Sequence, residues 1–329
     1  MRVDYREIAE GVMRGRAIGF EGAVALLETG DDELLALLDG AYSLRCASFG
    51  RDVRLHVLRN ARSGGCTEDC AFCSQSRIAG EAGAPRTRMA SAEEIVRDAY
   101  AACERRAARY CIVTSGRSPS PEVMDAVCGA VVRIRREKLP LSICVSLGSL
   151  DEERASRLER AGVDRVNHNL EAAPSAFSRL CTSHPHGERV ATARIVKAAG
   201  LELCSGGLVG VGESLAERAE LALLLRAVGS DAVPVNFFDP RPGTPLAGTA
   251  RLSPNDALRA LAMFRFVLPR AEIRMAGGRE KALGPLQALG LYAADSMFTE
   301  GYLTTGGQGF DADAAMIAAA GFEIAGTFE

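Results

Sequence analysis

The chain has 329 residues, 47% hydrophobic and 25% charged, which is ordinary for a globular protein and enough for one large α/β domain or two modest ones. A formal net charge of −3 and the absence of tryptophan give no electrostatic or stacking case for nucleic acid, nor for an anionic membrane surface. The opening MRVDYREIAEGVMRGRAIGF lacks a signal-peptide core and no apolar run is long enough to span a bilayer, so a cytoplasmic location is expected.

Residues 3–50, which include EGAVALLETGDDELLALLDGAYSLR, read as amphipathic helices. From there apolar, β-rich runs alternate with helical stretches. Strands are expected at 53–61, 109–116, 141–148, 164–170, 201–210, 232–238, 272–278 and 295–301. Between the first two lies SAEEIVRDAYAACERRAA, whose Ser91 and Glu94 form the reciprocal start signal of a helix. Eight β/α units without a domain-sized break favour one (β/α)8 barrel of the TIM type over an open doubly wound sheet. Residues 1–50 are then an N-terminal helical extension and 51–329 the barrel. Chemistry in such barrels gathers at the carboxyl ends of the strands.

Directly after the first strand comes ARSGGCTEDCAFCSQS. Ten cysteines in a reducing compartment are packing or ligands, not a disulfide framework. Cys66, Cys70 and Cys73 are spaced C-x3-C-x2-C. Structural zinc asks for four closed ligands, and neither a second C-x2-C nor a pattern among His56, His168, His184 and His186 supplies them. Three thiolates suit a 4Fe–4S cluster better. One iron is left open for the amino and carboxylate groups of S-adenosylmethionine, whose cleavage yields a radical. With the aromatic Phe72 before the last cysteine, this is the radical S-adenosylmethionine signature.

The loop resembles that of the biotin synthase family in particular. Further blocks follow in the family's order: CIVTSGR, CVSLGSL, NHNL, LCSGGLVGVGE, VPVNFFDPRPGTPL, IRMAGGRE and YLTTGGQG, over about residues 50–310. The resemblance implies sulfur insertion that converts dethiobiotin to biotin. It places Cys66, Cys70 and Cys73 on the 4Fe–4S cluster and Cys111, Cys144, Cys204 and Arg274 on an auxiliary iron–sulfur cluster that donates sulfur. A 2Fe–2S form is expected there, with a four-iron form as the alternative. Phe72, Asn169, Glu171, Gly206 and Gly207 would serve S-adenosylmethionine. Asn167 and Asn236 would meet the ureido ring, and Thr304 and Thr305 the substrate carboxylate. A homodimer and a flavodoxin- or ferredoxin-type electron donor are also implied.

The residues themselves leave some of this open. Arginine offers no easy lone pair, so Arg274 is either a ligand or charge support for a sulfide or carboxylate. Period two puts Asn167 and Asn169 on one face of their strand, with His168 facing away as a packed or surface residue. Gly206 and Gly207 mark either tight turns or close backbone approach. Thr304 and Thr305 either hold a carboxylate or serve a turn. Cys46, Cys103 and Cys128 match no ligand position, and Cys181 is spaced too loosely from His184 and His186 for a metal site. The chain departs from the family at Val166, at Glu171-Ala172-Ala173 and at Arg241, changes expected to bear on substrate fit more than on radical generation. Two other functions fit the pattern: sulfur insertion into another substrate, and a non-catalytic metal-stabilised barrel that binds a small molecule.

Overall fold

The computed structural model describes residues 3–80, 83–303 and 306–325. Each expected β-rich run contains a strand: β1 (Asp52–Arg62), β2 (Arg109–Thr114), β3 (Ser142–Ser146), β4 (Arg165–Asn167), β5 (Glu202–Cys204), β6 (Gly207–Val209), β7 (Ala232–Phe237), β8 (Glu272–Met275) and β9 (Ser296–Phe298). All pairings are parallel, in the order β1-β2-β3-β4-β5-β7-β8-β9, and β9 returns to β1. The ring is closed. A break at Ser205 and Gly206 divides the fifth stave into β5 and β6, and both halves pair with β7. This is the expected eight-stranded barrel, with helices on its outside.

Register decides which side chains enter the lumen. Cys111 lies opposite Cys144, Cys144 opposite Arg165, Asn167 opposite Cys204, and Arg274 opposite Ser296. Neighbours in a parallel ladder share a face, so these form layers inside the ring. Val166 alternates outward and packs with Val145 and Leu203 beneath the helices. The Val166 departure therefore does not reach the lumen, and the expectation that it alters substrate fit is corrected by its phase.

α1 (Tyr5–Met13), α2 (Phe20–Leu27) and α3 (Leu34–Phe49) occupy the expected N-terminal helical region. α2 and α3 pack on the helix Pro254–Val267. That helix is buried at every position from Ala257 to Val267, because the barrel covers one side and α2 and α3 the other. The Ser91–Glu94 start signal is present in both directions: Glu94 N donates to Ser91 Oγ at 3.3 Å, and Ser91 N donates to a Glu94 carboxylate oxygen at 2.8 Å.

One strand was not anticipated. β10 (Glu323–Ile324) pairs with Asp52 and Val53 at the start of β1, ahead of the segment that β9 occupies. Two residues carry no readable period. The helix Phe310–Ala319 that leads to β10 is tied to the barrel by Arg279, whose Nη2 donates to Asp313 Oδ1 at 2.6 Å, both side chains being buried. Asp313 Oδ1 also accepts from Gln308 Nε2 at 2.6 Å.

Candidate active site

The cysteine loop leaves the carboxyl end of β1 through Gly64 and Gly65, both at positive φ (70° and 65°). A Cβ on Gly64 would lie 2.6 Å from the Ala84 carbonyl, so only glycine makes this turn. The loop is then bonded to itself and to its surroundings. Gly64 N donates to Gln75 Oε1 at 2.9 Å, Cys66 N to the Gln75 carbonyl at 3.2 Å and Ala71 N to the Leu180 carbonyl at 2.8 Å. Asp69 accepts the amides of Thr182 and Ser183 at 2.9 and 3.0 Å.

Cys66, Cys70 and Cys73 line a cavity of about 200 Å³ together with Asn167, Asn169 and Glu171. Burial pushes the Cys73 thiol up to about 11, and the nearby Cys66 adds to the rise. Burial also raises Cys70. Cys70 and Cys73 thus resist ionisation on their own, which a multivalent iron centre would relieve, and the three-sulfur donor set fits one.

Cys111, Cys144 and Arg274 line the same cavity from deeper in the barrel. Cys144 is hydrogen-bonded to Cys111 and to Cys204, and the bond with Cys111 is the main cause that raises its thiol to about 12. Arg274 Nη1 lies 3.5 Å from Cys204 Sγ, and Arg274 Nε is buried without a hydrogen-bond partner. Burial is the largest single influence on Arg274 and works against its charge, but Glu272 together with Cys204 and Cys111 holds the guanidinium above its ordinary value. The structure thus brings together all four residues set on separate strands, and the donor chemistry fits a sulfur-ligated cluster beside a fixed cation.

Asn167 and Asn169 share a face, as expected: Asn167 Nδ2 donates to Asn169 Oδ1 at 3.2 Å and lies 3.3 Å from Cys204 Sγ. Asn236 lies instead on a second cavity of about 190 Å³, which shares Phe72, Cys73, Asn169 and Glu171 with the first. Its Oδ1 accepts from Gly277 N at 3.1 Å. Arg241, the third departure, also lines this second cavity. Glu171 faces both spaces from a left-handed backbone (φ 67°), and burial pushes its carboxyl up.

Gly206 and Gly207 line neither cavity. A Cβ on Gly206 would overlap the Pro234 carbonyl, and one on Gly207 would lie 2.6 Å from the Glu171 carbonyl. Strand packing accounts for both glycines. His168, expected to face away, is also among the residues that line the first cavity; its ring is buried, and burial pushes it down to about 3. Thr304 and Thr305 lie outside the described residues.

Sequence spacing missed two groups. Glu68, Cys181 and His184 offer ligand atoms within 4.8 Å of one another. Their polar atoms are already engaged, however: Arg189 Nε donates to His184 Nε2 at 3.1 Å, which turns Nδ1–H toward Glu68, and Glu68 accepts from Ser183 Oγ at 2.6 Å. The group straps the cysteine loop to residues 180–184. The second group, deeper in the lumen, is Glu272 with Arg165 and His56. Period two would have found it, since Glu272, Arg165, Glu202 and Arg109 each stand two residues before a residue of the site.

Barrel, loop and layered thiols define a radical S-adenosylmethionine enzyme, and the Radical SAM superfamily model matches residues 61–225. The Biotin and Thiamin Synthesis associated domain matches residues 234–323. Biotin synthases of Salinibacter ruber, Rhodopirellula baltica and Bacillus cereus are 49%, 45% and 44% identical to the chain. They match 97%, 99% and 98% of it, and 88%, 90% and 96% of their own lengths. The chain belongs to the biotin synthase family. Among solved structures, methylornithine synthase (TM-score 0.82, 20% identity, 97% of each chain) shares the fold. So does a maturase of the FeFe-hydrogenase (TM-score 0.82, 14% identity, 97% of this chain and 74% of that one).

Proposed function

We propose that the enzyme inserts sulfur into dethiobiotin to give biotin. One observation carries the reading beyond family membership: two sulfur-rich donor sets face a single cavity, Cys66, Cys70 and Cys73 on its wall and Cys111 and Cys144, with Arg274, farther down. The first set would hold a 4Fe–4S cluster that binds S-adenosylmethionine. The second, with Cys204, would hold the auxiliary cluster, in its 2Fe–2S or four-iron form. When bound, these groups supply one-electron cleavage of the sulfonium and a sulfur atom for transfer.

The chain's own residues bind, orient and exclude. Asn169 and Glu171 would offer a ribose diol an amide and a carboxylate; Asn169 Oδ1 accepts from Gly206 N at 3.2 Å, and Arg189 Nη1 lies 4.0 Å from Glu171. Asn167, beside Cys204, would turn its amide to the ureido ring, with Asn236 a second contact and Thr304 and Thr305 at the carboxylate. Phe72 and Tyr302 line both cavities, where their rings would help exclude water from a bound substrate. A substrate held between the two donor sets has its reacting carbons fixed close to both, which is the advantage of one barrel for both tasks. The same reading takes residues 51–329 as the catalytic barrel and 1–50 as its extension. It expects a flavodoxin or ferredoxin as electron donor, a homodimer and a cytoplasmic setting, which suits ten free thiols.

The test is anaerobic reconstitution followed by a single turnover on dethiobiotin. Cys111→Ala and Cys144→Ala should still cleave S-adenosylmethionine at close to the parent rate, yet form no biotin. Biotin from either variant would remove the sulfur-donor assignment.

A further inference from the structure

We propose that Glu272 is the positioning residue that aims Arg274 at the sulfur layer, and that it thereby sets the environment of the auxiliary cluster. The inference rests on the functional reading above. Both residues belong to β8 and, being two apart, both enter the lumen, Glu272 one layer below. The Glu272 carboxylate is a hub. It accepts from Arg165 Nη1 at 2.8 Å and Ser296 Oγ at 3.0 Å, and makes a close bond with Arg274 Nη2. His56 Nε2 lies 3.0 Å away. None of these five side chains is more than 5% exposed.

Arg274 is therefore fixed on three sides. Glu272 holds Nη2, Nη1 lies 3.5 Å from Cys204 Sγ, and the guanidinium sits 5.1 Å over the Phe298 ring. Turning it away from the cysteines would leave a buried cation without its carboxylate, an unfavourable state. The hub also balances charge. Three buried cations, Arg109, Arg165 and Arg274, gather here: Glu272 pairs with Arg165 and Arg274, while the half-exposed Glu202 reaches Arg165 at 2.7 Å and Arg109 at 3.4 Å but does not pair with Arg274. Neutralising Glu272 makes the layer beneath the sulfurs more positive, which favours the reduced state of a cluster held above it.

The test uses the full chain, reconstituted anaerobically, as parent, Glu272→Gln, Glu272→Asp and Arg274→Ala. Iron and sulfide content, the visible and Mössbauer spectra of the auxiliary cluster, its midpoint potential and first-turnover biotin are read, with 5′-deoxyadenosine formation as the internal control. Glu272→Gln should leave 5′-deoxyadenosine unchanged, raise the midpoint potential, alter the auxiliary spectrum and lower first-turnover biotin by about 10–100-fold. Glu272→Asp, which keeps the charge, should recover part of each. An unchanged spectrum and potential in Glu272→Gln, with Arg274→Ala clearly shifted, would overturn the proposal. Should Glu272→Gln fail to fold, Glu272→Asp decides: its shorter arm must shift the auxiliary spectrum, and an unshifted one refutes the idea. A parent that takes up only four irons would sink the functional reading itself, and this inference with it.

Discussion

His168 stands between two asparagines that face the cavity, yet its own ring is buried and held down to about 3 from an ordinary 6.5, chiefly by desolvation. Above pH 6.5 the ring is neutral in both folded and unfolded chains and contributes no pH dependence. Between 6.5 and about 3 only the unfolded chain takes up the proton, so folded stability falls as pH falls, by about 1.4 kcal/mol per pH unit for this ring. Replacing it with His168→Gln should flatten the acid limb of urea-midpoint against pH, and an unaltered slope would count against a buried neutral imidazole. At this scale the sequence showed the asparagine pair clearly, because period two is local. The strap of Glu68, His184 and Arg189 was not legible, since its members lie 116 and 5 residues apart along the chain and meet only through folding. The Glu272 hub lay between these cases. Its phase was readable, but an acidic residue in a β-run is ordinarily assigned to the solvent face.

The interrupted fifth stave shows what elements add. β5 and β6 are joined by Ser205 and Gly206, where the chain presses so closely on β7 that a Cβ at 206 would strike the Pro234 carbonyl. That stave carries Cys204 at one end of the break. Gly206→Ala should therefore lower stability by about 1–3 kcal/mol or more through overpacking, seen as a lower unfolding midpoint. It should also weaken uptake of iron at the auxiliary site more than at the loop. Equal loss at both sites would show that the break has no special bearing on Cys204. Sequence reading took 201–210 as one continuous strand and set its glycines against the cofactor. The glycines were visible, but their reason was not, because it lies in the backbone of a strand some thirty residues later. The same limit applies to Asn236, whose strand was correctly expected but whose cavity follows from the curvature of the ring.

Across the whole molecule, the alternation of eight β-rich runs with helices made the barrel legible without any contact information. The closing β1–β9 ladder is implied by that count alone. What the pattern left out lies at the margin: the two-residue β10 and the buried tie between Arg279 and Asp313. This tie has a consequence beyond fastening a helix. Together, helix Phe310–Ala319 and β10 shield the opening residues of β1, a stretch whose peptide groups would otherwise stand bare and ready to pair with another chain. An Asp313→Asn chain should thus be lost to self-association before its catalysis is affected. Light scattering on warming should rise at a lower temperature than in the parent, while freshly prepared protein turns over normally.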